Sequence, residues 1–385
     1  MNVEYMRAKP SDYEEVVSTA DKAFGHAPDA NFFKTIQPKL YRTDDTMSSH
    51  FLVREDGDIA GLLCAYNAEI DVMGKTLTSC GIGTVCVLPE YRSRGYMKGL
   101  MQCALDGMKE DNVDFALLGG KRQRYEYFGY TLAGTNMCAH FLKQNAEYLY
   151  GKDSSFGYEF AEISRDDSEI LDKMYALYMQ KPVKVLRPKN KFYDILCGGN
   201  VRPVVITKNG EFFGYSFLSS DNYSTSEIEL VDFSEFGHVL NDIMIFYHTD
   251  CIEVRFTECF NDEKHRFLTL NAEGFDICHI EQVMILNFNS VLEAFLNLKA
   301  SVKNLVDGEC SFEVEGHPAF KITVKDNKVS VEDFNGDAEV KMPYLVAIQK
   351  FFSHGGANYN YGIKLPAAAE SWFPAPLWFS SPDII

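Results

Sequence analysis

Residues 81–98 read Gly-Ile-Gly-Thr-Val-Cys-Val-Leu-Pro-Glu-Tyr-Arg-Ser-Arg-Gly-Tyr-Met-Lys, and this stretch decides how the chain is read. A strand-like run ends near Leu88, Pro89 turns it, and a basic, glycine-containing segment then begins a helix. Met97, Leu100, Met101, Ala104, Leu105 and Met108 recur at helical spacing and give that helix one apolar stripe. The first turn of a helix has unpaired N–H groups and the positive end of the helix dipole, so it attracts phosphate. Gly95 lets the backbone come close to a ligand. Arg92, Arg94 and Lys98 supply charge suited to the pyrophosphate and 3′-phosphate of an adenine nucleotide. Gly81 and Gly83 are placed to loosen the strand into a bulge that turns backbone groups towards that ligand. Each feature alone has a plainer reading, as a packed glycine or a solvated charge. Their order (strand, turn, basic helix start) gives them a joint one.

Around this segment, residues 1–145 alternate strands and helices as a mixed α/β unit. A strand at Val3–Ala8 leads to Ser11, which has Glu14 at capping-box spacing, and a helix runs to about Phe24. His50–Arg54 and Ile59–Ile70 alternate and meet at Asp56-Gly57-Asp58, a hairpin signal. A third strand spans Thr76–Leu88; Phe115–Leu118 and Tyr130–Leu142 read as two more. Residues 146–285 repeat the order faintly. Strands are expected at Val204–Lys208, Glu211–Leu218 and Ile228–Asp232, a helix at Val239–Tyr247, a strand at Ile252–Thr257 and a helix at Asp262–Ala272.

Residues 286–385 change character. A helix at Ser290–Leu298 precedes strands Ala319–Val324 and Lys328–Glu332 about the turn Asp326-Asn327, and a helix spans Pro343–Phe352. The tail then holds Trp372, Phe373, Trp378 and Phe379 among Pro374, Pro376 and Pro382. A chain of 385 residues exceeds the roughly 100–200 of a usual single core, so three units with boundaries near 145 and 285 are expected.

The formal net charge of −18 argues against nucleic acid or an anionic membrane as partner. It suits a cationic substrate, and equally serves solubility. The cysteines Cys64, Cys80, Cys86, Cys103, Cys138, Cys197, Cys251, Cys259, Cys278 and Cys310 form no Cys-x-x-Cys pair and no zinc-ligand spacing with histidine. No metal is therefore expected, and the scatter of free thiols fits a reducing, cytoplasmic compartment. The start Met1-Asn2-Val3-Glu4-Tyr5 lacks a basic segment followed by an apolar one, and no run is long enough for a membrane span.

Arg92-Ser93-Arg94-Gly95-Tyr96-Met97 resembles the acetyl-CoA motif of the GNAT superfamily of N-acetyltransferases, Arg/Gln-x-x-Gly-x-Gly/Ala, at its first two anchors. Met97 departs from the small third residue and in this is similar to the branch named for enhanced intracellular survival (Eis). Tyr125-Glu-Tyr-Phe128-Gly129-Tyr130 resembles the Tyr-x-x-Phe-Gly-Tyr segment of the same branch. The resemblance implies tandem GNAT-type domains, active over 1–145 and degenerate over 146–285, followed by a sterol-carrier-like α+β domain over 286–385. It implies acetyl-CoA as cosubstrate and a primary amine as acceptor: an aminoglycoside, a polyamine or a lysine side chain. It also implies a homo-oligomer, a hexamer or a dimer.

Acetyl transfer to an amine is aminolysis of a thioester. It needs a neutral amine, donors for the carbonyl oxygen and a proton for the departing thiolate. Carried over by resemblance, Val85, Cys86 and Val87 hold the thioester and pantetheine arm, with Arg92, Ser93, Arg94, Gly95, Tyr96, Met97 and Lys98 around the phosphates. Tyr125 is the general acid, and the terminal carboxylate, on Ile385, returns from the third domain to take part in catalysis. Phe24 and Asp29, after the first helix, border the acceptor. In the second unit the matching turn reads Phe233-Ser-Glu235-Phe-Gly-His, with no Arg or Lys and with a carboxylate that repels phosphate. Plainer readings stand beside these. Tyr125 would only pack a short helix, Phe24 to Asp29 would be a surface loop, and Ile385 would fray. The whole protein would then be a non-catalytic acyl-CoA or lipid carrier retaining the fold. Release of free CoA thiol with a panel of amines separates the two.

Overall fold

The structure is a computed structural model and describes residues 2–219, 224–257, 263–359 and 361–385. Its first sheet is covered on both faces at the centre, where His50–Glu55, Phe115–Leu118 and Glu281–Ile285 are almost continuously buried. In spatial order the strands are Val3–Arg7, His50–Glu55, Asp58–Val72, Lys75–Val87, Phe115–Leu118, Glu281–Ile285 and Thr131–Ala133. Val183–Val185 adds to the far end of Asp58–Val72. Every pairing is antiparallel except that of Lys75–Val87 with Phe115–Leu118. The helix Tyr96–Glu110 connects those two parallel strands, and Leu100, Met101, Ala104 and Met108 of its stripe are buried against the sheet.

The same order recurs in the middle of the chain. Tyr158–Glu162, Arg202–Lys208, Glu211–Leu218 and Ile228–Leu230 form one antiparallel run, and Ser224–Thr225 pairs in parallel with Cys251–Phe256. Cys251–Phe256 then pairs antiparallel with Asn136–Leu142, and that strand with Gly274–Cys278. A helix, Phe236–Tyr247, again occupies the crossover before the parallel partner. Pairing sense and the helical crossover recur, here in two four-stranded sheets where the first part has one, so the middle of the chain resembles a second copy of the first arrangement.

The two copies exchange a strand. Asn136–Leu142 lies in the sequence of the first copy and in the sheet of the second; Glu281–Ile285 does the reverse. Strand pairing therefore crosses the expected boundary at 145 in both directions. The single strand expected over Tyr130–Leu142 is two strands in two sheets, separated at Gly134, which has φ +77° and packs under Ile280 and Leu377. The expected cap at Ser11 also differs. Ser11 lies in a 3₁₀ turn, and Asp12 accepts from the Lys9 N–H at 2.7 Å before the helix Tyr13–Ala23. The helix expected from Asp262 is observed as Glu263–Asn271; Asp262 and Cys259 lie outside the described residues.

The last sheet runs Lys328–Asp333, Phe320–Lys325, Gly308–Val314 and Val340–Met342, covered by helices Phe288–Val302 and Tyr344–Phe352. Mixed α/β architecture thus extends over the whole chain. The interior of this third part is aromatic and packed ring against ring: Phe312 lies 5.2 Å from Phe351, and Phe351 lies 4.7 Å from Phe373. The same core continues into the first sheet through Ile70, Val72, Phe115 and Leu117. Among the described residues no cysteine is disulfide-bonded, and no helix is long and apolar enough to cross a membrane.

Candidate active site

The strand Lys75–Val87 loses its parallel partner part-way. Pairing runs from Ser79 opposite Phe115 to Ile82 opposite Leu118 and then stops, so the last residues of the strand carry no ladder on that side. On the other edge the register shifts between Leu62 and Cys64, and Thr84 takes φ +52°. The bulge therefore falls on Thr84, not on Gly81 or Gly83 as expected. Thr84 tolerates it with its hydroxyl accepting from the Tyr41 hydroxyl at 2.8 Å.

Beyond the strand, Ser93 (φ +65°) and Gly95 (φ +82°) turn the backbone into the helix Tyr96–Glu110, and no side chain caps its first turn. These two features enclose a cleft of about 530 Å³. Val85, Cys86, Val87, Arg92, Ser93, Gly95, Tyr96 and Met97 line it, with Ala23, Phe24, Tyr91 and Arg124. A groove with free N–H groups at one end and an unladdered strand at the other has the chemistry to hold a phosphorylated, amide-containing arm.

Two cations expected here are turned to other partners. Arg94 donates to the Glu55 carboxylate and to the Glu90 carbonyl (3.0 Å) and stacks over Tyr91 at 5.2 Å. Glu55 also accepts from the Tyr96 hydroxyl; that bond and Arg94 hold its carboxyl below the usual range. Lys98 sits 5.1 Å over the Tyr127 ring. Neither Arg94 nor Lys98 lines the cleft, whereas Arg124 does. Sequence reasoning passed over Arg124, although the run Lys121-Arg122-Gln-Arg124 is a basic cluster in an acidic chain.

Tyr125 closes the short helix Arg122–Tyr125 and is buried in the cluster beneath the cleft, with Ile82, Leu118 and Tyr130. Burial raises its pKa while Arg124 works the other way, so the phenol keeps its proton at neutral pH. Phe24 reaches the cleft, half exposed and edge-on to Phe33 at 5.1 Å. Asp29 does not: it lies on an exposed turn, and its carbonyl accepts from Asn31 Nδ2 at 3.0 Å. The carboxylate that shapes this loop is Asp21, which is buried and accepts from the N–H groups of Phe32 and Phe33.

The tail reaches the same strand from the far end of the sequence. Trp372, Leu377, Trp378 and Phe379 are buried, and the Thr135 N–H donates to Leu377 O at 2.9 Å. Arg187, fully buried, donates to Asp383 and to Glu227, and the Tyr215 hydroxyl donates to Glu227 at 2.7 Å. Lys39, 2% exposed, gives its ammonium to the carbonyls of Pro382 (3.1 Å), Asp383 (2.7 Å) and Ile384 (3.0 Å). Ile385 then lies on the two strand glycines. A Cβ on Gly81 would come within 2.9 Å of Ile385 Cγ1, and one on Gly83 within 3.0 Å of the Ile385 carboxyl carbon. Gly81 and Gly83 thus make room for the tail.

In the second copy the equivalent turn is Phe233–Glu235. Glu235 accepts from Tyr158 (2.8 Å), His238 (3.1 Å) and Lys208 (3.2 Å). His238 and Tyr158 take its pKa down to about 2. An ionised carboxylate holds the place that the first copy leaves open.

Residues 4–133 match the acetyltransferase (GNAT) domain family. Several solved structures are similar to this chain over most of its length. A GCN5-related N-acetyltransferase from Anabaena variabilis superposes with a TM-score of 0.68 at 14% identity, covering 98% of each chain. One from Kribbella flavida gives 0.65 at 12%, covering 97% of this chain and 95% of that one. Eis1 from Mycobacterium abscessus gives 0.60 at 15%, covering 90% and 88%. At such identities these likenesses show a shared fold. No curated protein sequence matches significantly. The domain match and the cleft together support acyl transfer.

Proposed function

We propose that the protein is an N-acetyltransferase that moves the acetyl group of acetyl-CoA to a primary amine, such as that of an aminoglycoside, a polyamine or a lysine side chain. The carrying observation is the cleft between the unladdered end of strand Lys75–Val87 and the uncapped first turn of the helix Tyr96–Glu110. In this reading the backbone of Ser93 to Met97 takes the pyrophosphate, with Arg92 and Arg124 beside it, and Val85 and Val87 bond the pantetheine arm. The amine approaches past Phe24. Its nitrogen attacks the thioester carbonyl, the C–S bond breaks, and Tyr125 gives the departing thiolate a proton. Before that attack the ammonium gives a proton to the main-chain carboxylate of Ile385, directly or through water, and the attacking nitrogen releases a second proton to water as the amide forms.

The second copy is a scaffold without cofactor, and the third part is a sterol-carrier-like domain whose tail completes the site. The protein works in the cytoplasm as a homo-oligomer. Calorimetry with acetyl-CoA, followed by thiol release with an amine panel, tests the core of this. One site per chain is expected, weakened at least tenfold by Arg92→Glu or Arg124→Glu, with turnover for at least one amine. Two sites per chain, or tight binding with no thiol release for any amine, would overturn it.

A further inference from the structure

The strand that crosses between the two copies carries a second chemical cluster. Cys138 and His140, two apart on Asn136–Leu142, point to one face of the sheet. On that face Glu253 stands opposite His140 and Asp276 opposite Cys138. Cys138 Sγ lies 3.7 Å from Glu253 Oε2, and His140 Nδ1 lies 3.5 Å from Glu253 Oε1. Donor atoms of Cys138, His140 and Glu253 all fall within 4.8 Å of one another. They border a cavity of about 400 Å³ that Ser381 and Ile384 of the tail also line.

We infer that Cys138 Sγ, His140 Nδ1 and a Glu253 carboxylate oxygen bind one divalent transition-metal ion of the zinc class. The spacing is the first argument. Tetrahedral zinc bonds of about 2.0–2.3 Å put neighbouring ligand atoms roughly 3.3–3.8 Å apart. The Glu253 carboxylate lies at that spacing from both Cys138 and His140, through a different oxygen for each. The second argument is the far side of the imidazole. His140 Nε2 lies 2.9 Å from Asp276 Oδ2, the carboxylate–histidine pairing that fixes a metal-binding ring in one tautomer and turns the other nitrogen to the ion. The third is charge. Glu253, Asp276 and Glu281 face the cavity against the single Arg255, which is exposed. A mixed sulfur, nitrogen and oxygen set suits zinc over magnesium or calcium. The fourth position opens to the cavity, for water.

The ligands come from strands 115 residues apart, which is why a search for Cys-x-x-Cys spacing expects no metal. Bound there, the ion would staple the crossing strand to the second sheet beside the docked tail.

The test uses the full chain after treatment with a chelator and desalting, titrated with Co²⁺ and then with Zn²⁺ in competition. One equivalent of Co²⁺ is expected, with a near-ultraviolet thiolate-to-cobalt band and the strong visible bands of a four-coordinate ion. Cys138→Ser should abolish the thiolate band and weaken Zn²⁺ at least tenfold. His140→Gln, at a half-buried position that tolerates the change, should weaken Zn²⁺ as much, and Asp276→Asn by about 10- to 100-fold. Cys278→Ser, at the exposed rim, should leave binding unchanged. A Co²⁺ spectrum without a thiolate band would overturn the assignment. So would Zn²⁺ binding undiminished in His140→Gln, or a band lost with Cys278→Ser and kept with Cys138→Ser.

Discussion

Arg187 and Asp383 form a fully buried pair, Nη2 to Oδ2 at 2.7 Å and Nε to Oδ1 at 3.0 Å, and it ties the tail to the middle of the chain two residues before Ile385. The same guanidinium holds Glu227 at 2.7–2.8 Å and stacks 3.9 Å over Tyr178. One guanidinium therefore pairs with two buried carboxylates.

Removing that cation is the expensive change. Arg187→Met should cost about 3–5 kcal/mol, the usual penalty for stranding a buried partner charge, read as a lower urea midpoint. Asp383→Asn keeps the shape and one carbonyl acceptor, so it should cost less and act mainly on turnover by loosening Ile385. Burial alone would raise the Glu227 carboxyl, yet Arg187, Lys181 and Tyr215 hold it below the usual range. A lowered folded pKa contributes stability above the unfolded value of about 4.3 and loses it as the pH falls through the folded one. Wild type should therefore lose stability from pH 5 downward more steeply than Glu227→Gln. Parallel acid profiles would count against the network.

Lys39 gives the opposite end of the pH scale. Burial pulls its ammonium down to about 8 against the attraction of Asp383. Between about 8 and the unfolded value near 10.4 the unfolded chain holds the extra proton, so stability rises with pH across that window. Below it the cost of the buried charge is constant. Measured by denaturation at pH 7 and pH 10, wild type should gain on the order of 2–3 kcal/mol relative to Lys39→Met. A difference that stays flat would put Lys39 at its ordinary pKa.

The strand, turn and helix of residues 81–98 were legible because each element follows from neighbours in sequence. The apolar stripe from Leu100 to Met108 and the strand Phe115–Leu118 lie where their periodicity puts them. What could not be read depends on partners far away. Arg94 looks like a phosphate ligand until Glu55 arrives across the sheet, and Gly83 looks like a bulge until the tail lies on it. Tyr130–Leu142 alternates throughout, so nothing local marks that its two halves serve different sheets. Only φ +77° at Gly134 divides them. Arg124 had a local signal, its basic run, but no motif to attach it to.

Tyr125 separates chemistry from packing. Tyr125→Phe removes only the hydroxyl, so if that group protonates the thiolate, kcat and kcat/KM should fall together by on the order of 10²-fold. Acetyl-CoA affinity by calorimetry should hold within a few-fold. Tyr127→Phe, 69% exposed beneath Lys98, should do far less. An unchanged kcat in Tyr125→Phe would leave the residue as part of the buried cluster with Ile82 and Tyr130.

The contact of Ile385 with Gly81 and Gly83 permits a sharper test, because the two glycines meet different parts of the same residue. A methyl on Gly81 would strike only the Ile385 side chain, Cγ1 at 2.9 Å and Cδ1 at 3.4 Å. On Gly83 it would meet the main chain as well, the carboxyl carbon at 3.0 Å and its oxygen at 3.3 Å. Both substitutions should displace the tail while leaving the cleft around Val85 to Met97 intact. Each should therefore lower turnover, and a shift of about 1 Å in a positioned group is worth about 10²-fold. Acetyl-CoA affinity should change little. The second-site change Ile385→Ala then distinguishes them. It removes the atoms that crowd Gly81→Ala and should restore turnover there, whereas Gly83→Ala still presses on the carboxyl group and should stay impaired. The coupling between positions 81 and 385 should exceed that between 83 and 385 by about 1 kcal/mol or more in a double-mutant cycle. Equal rescue at both glycines would mean that the side chain of Ile385 matters and its carboxylate does not. Full activity in both single variants would detach the tail from catalysis altogether.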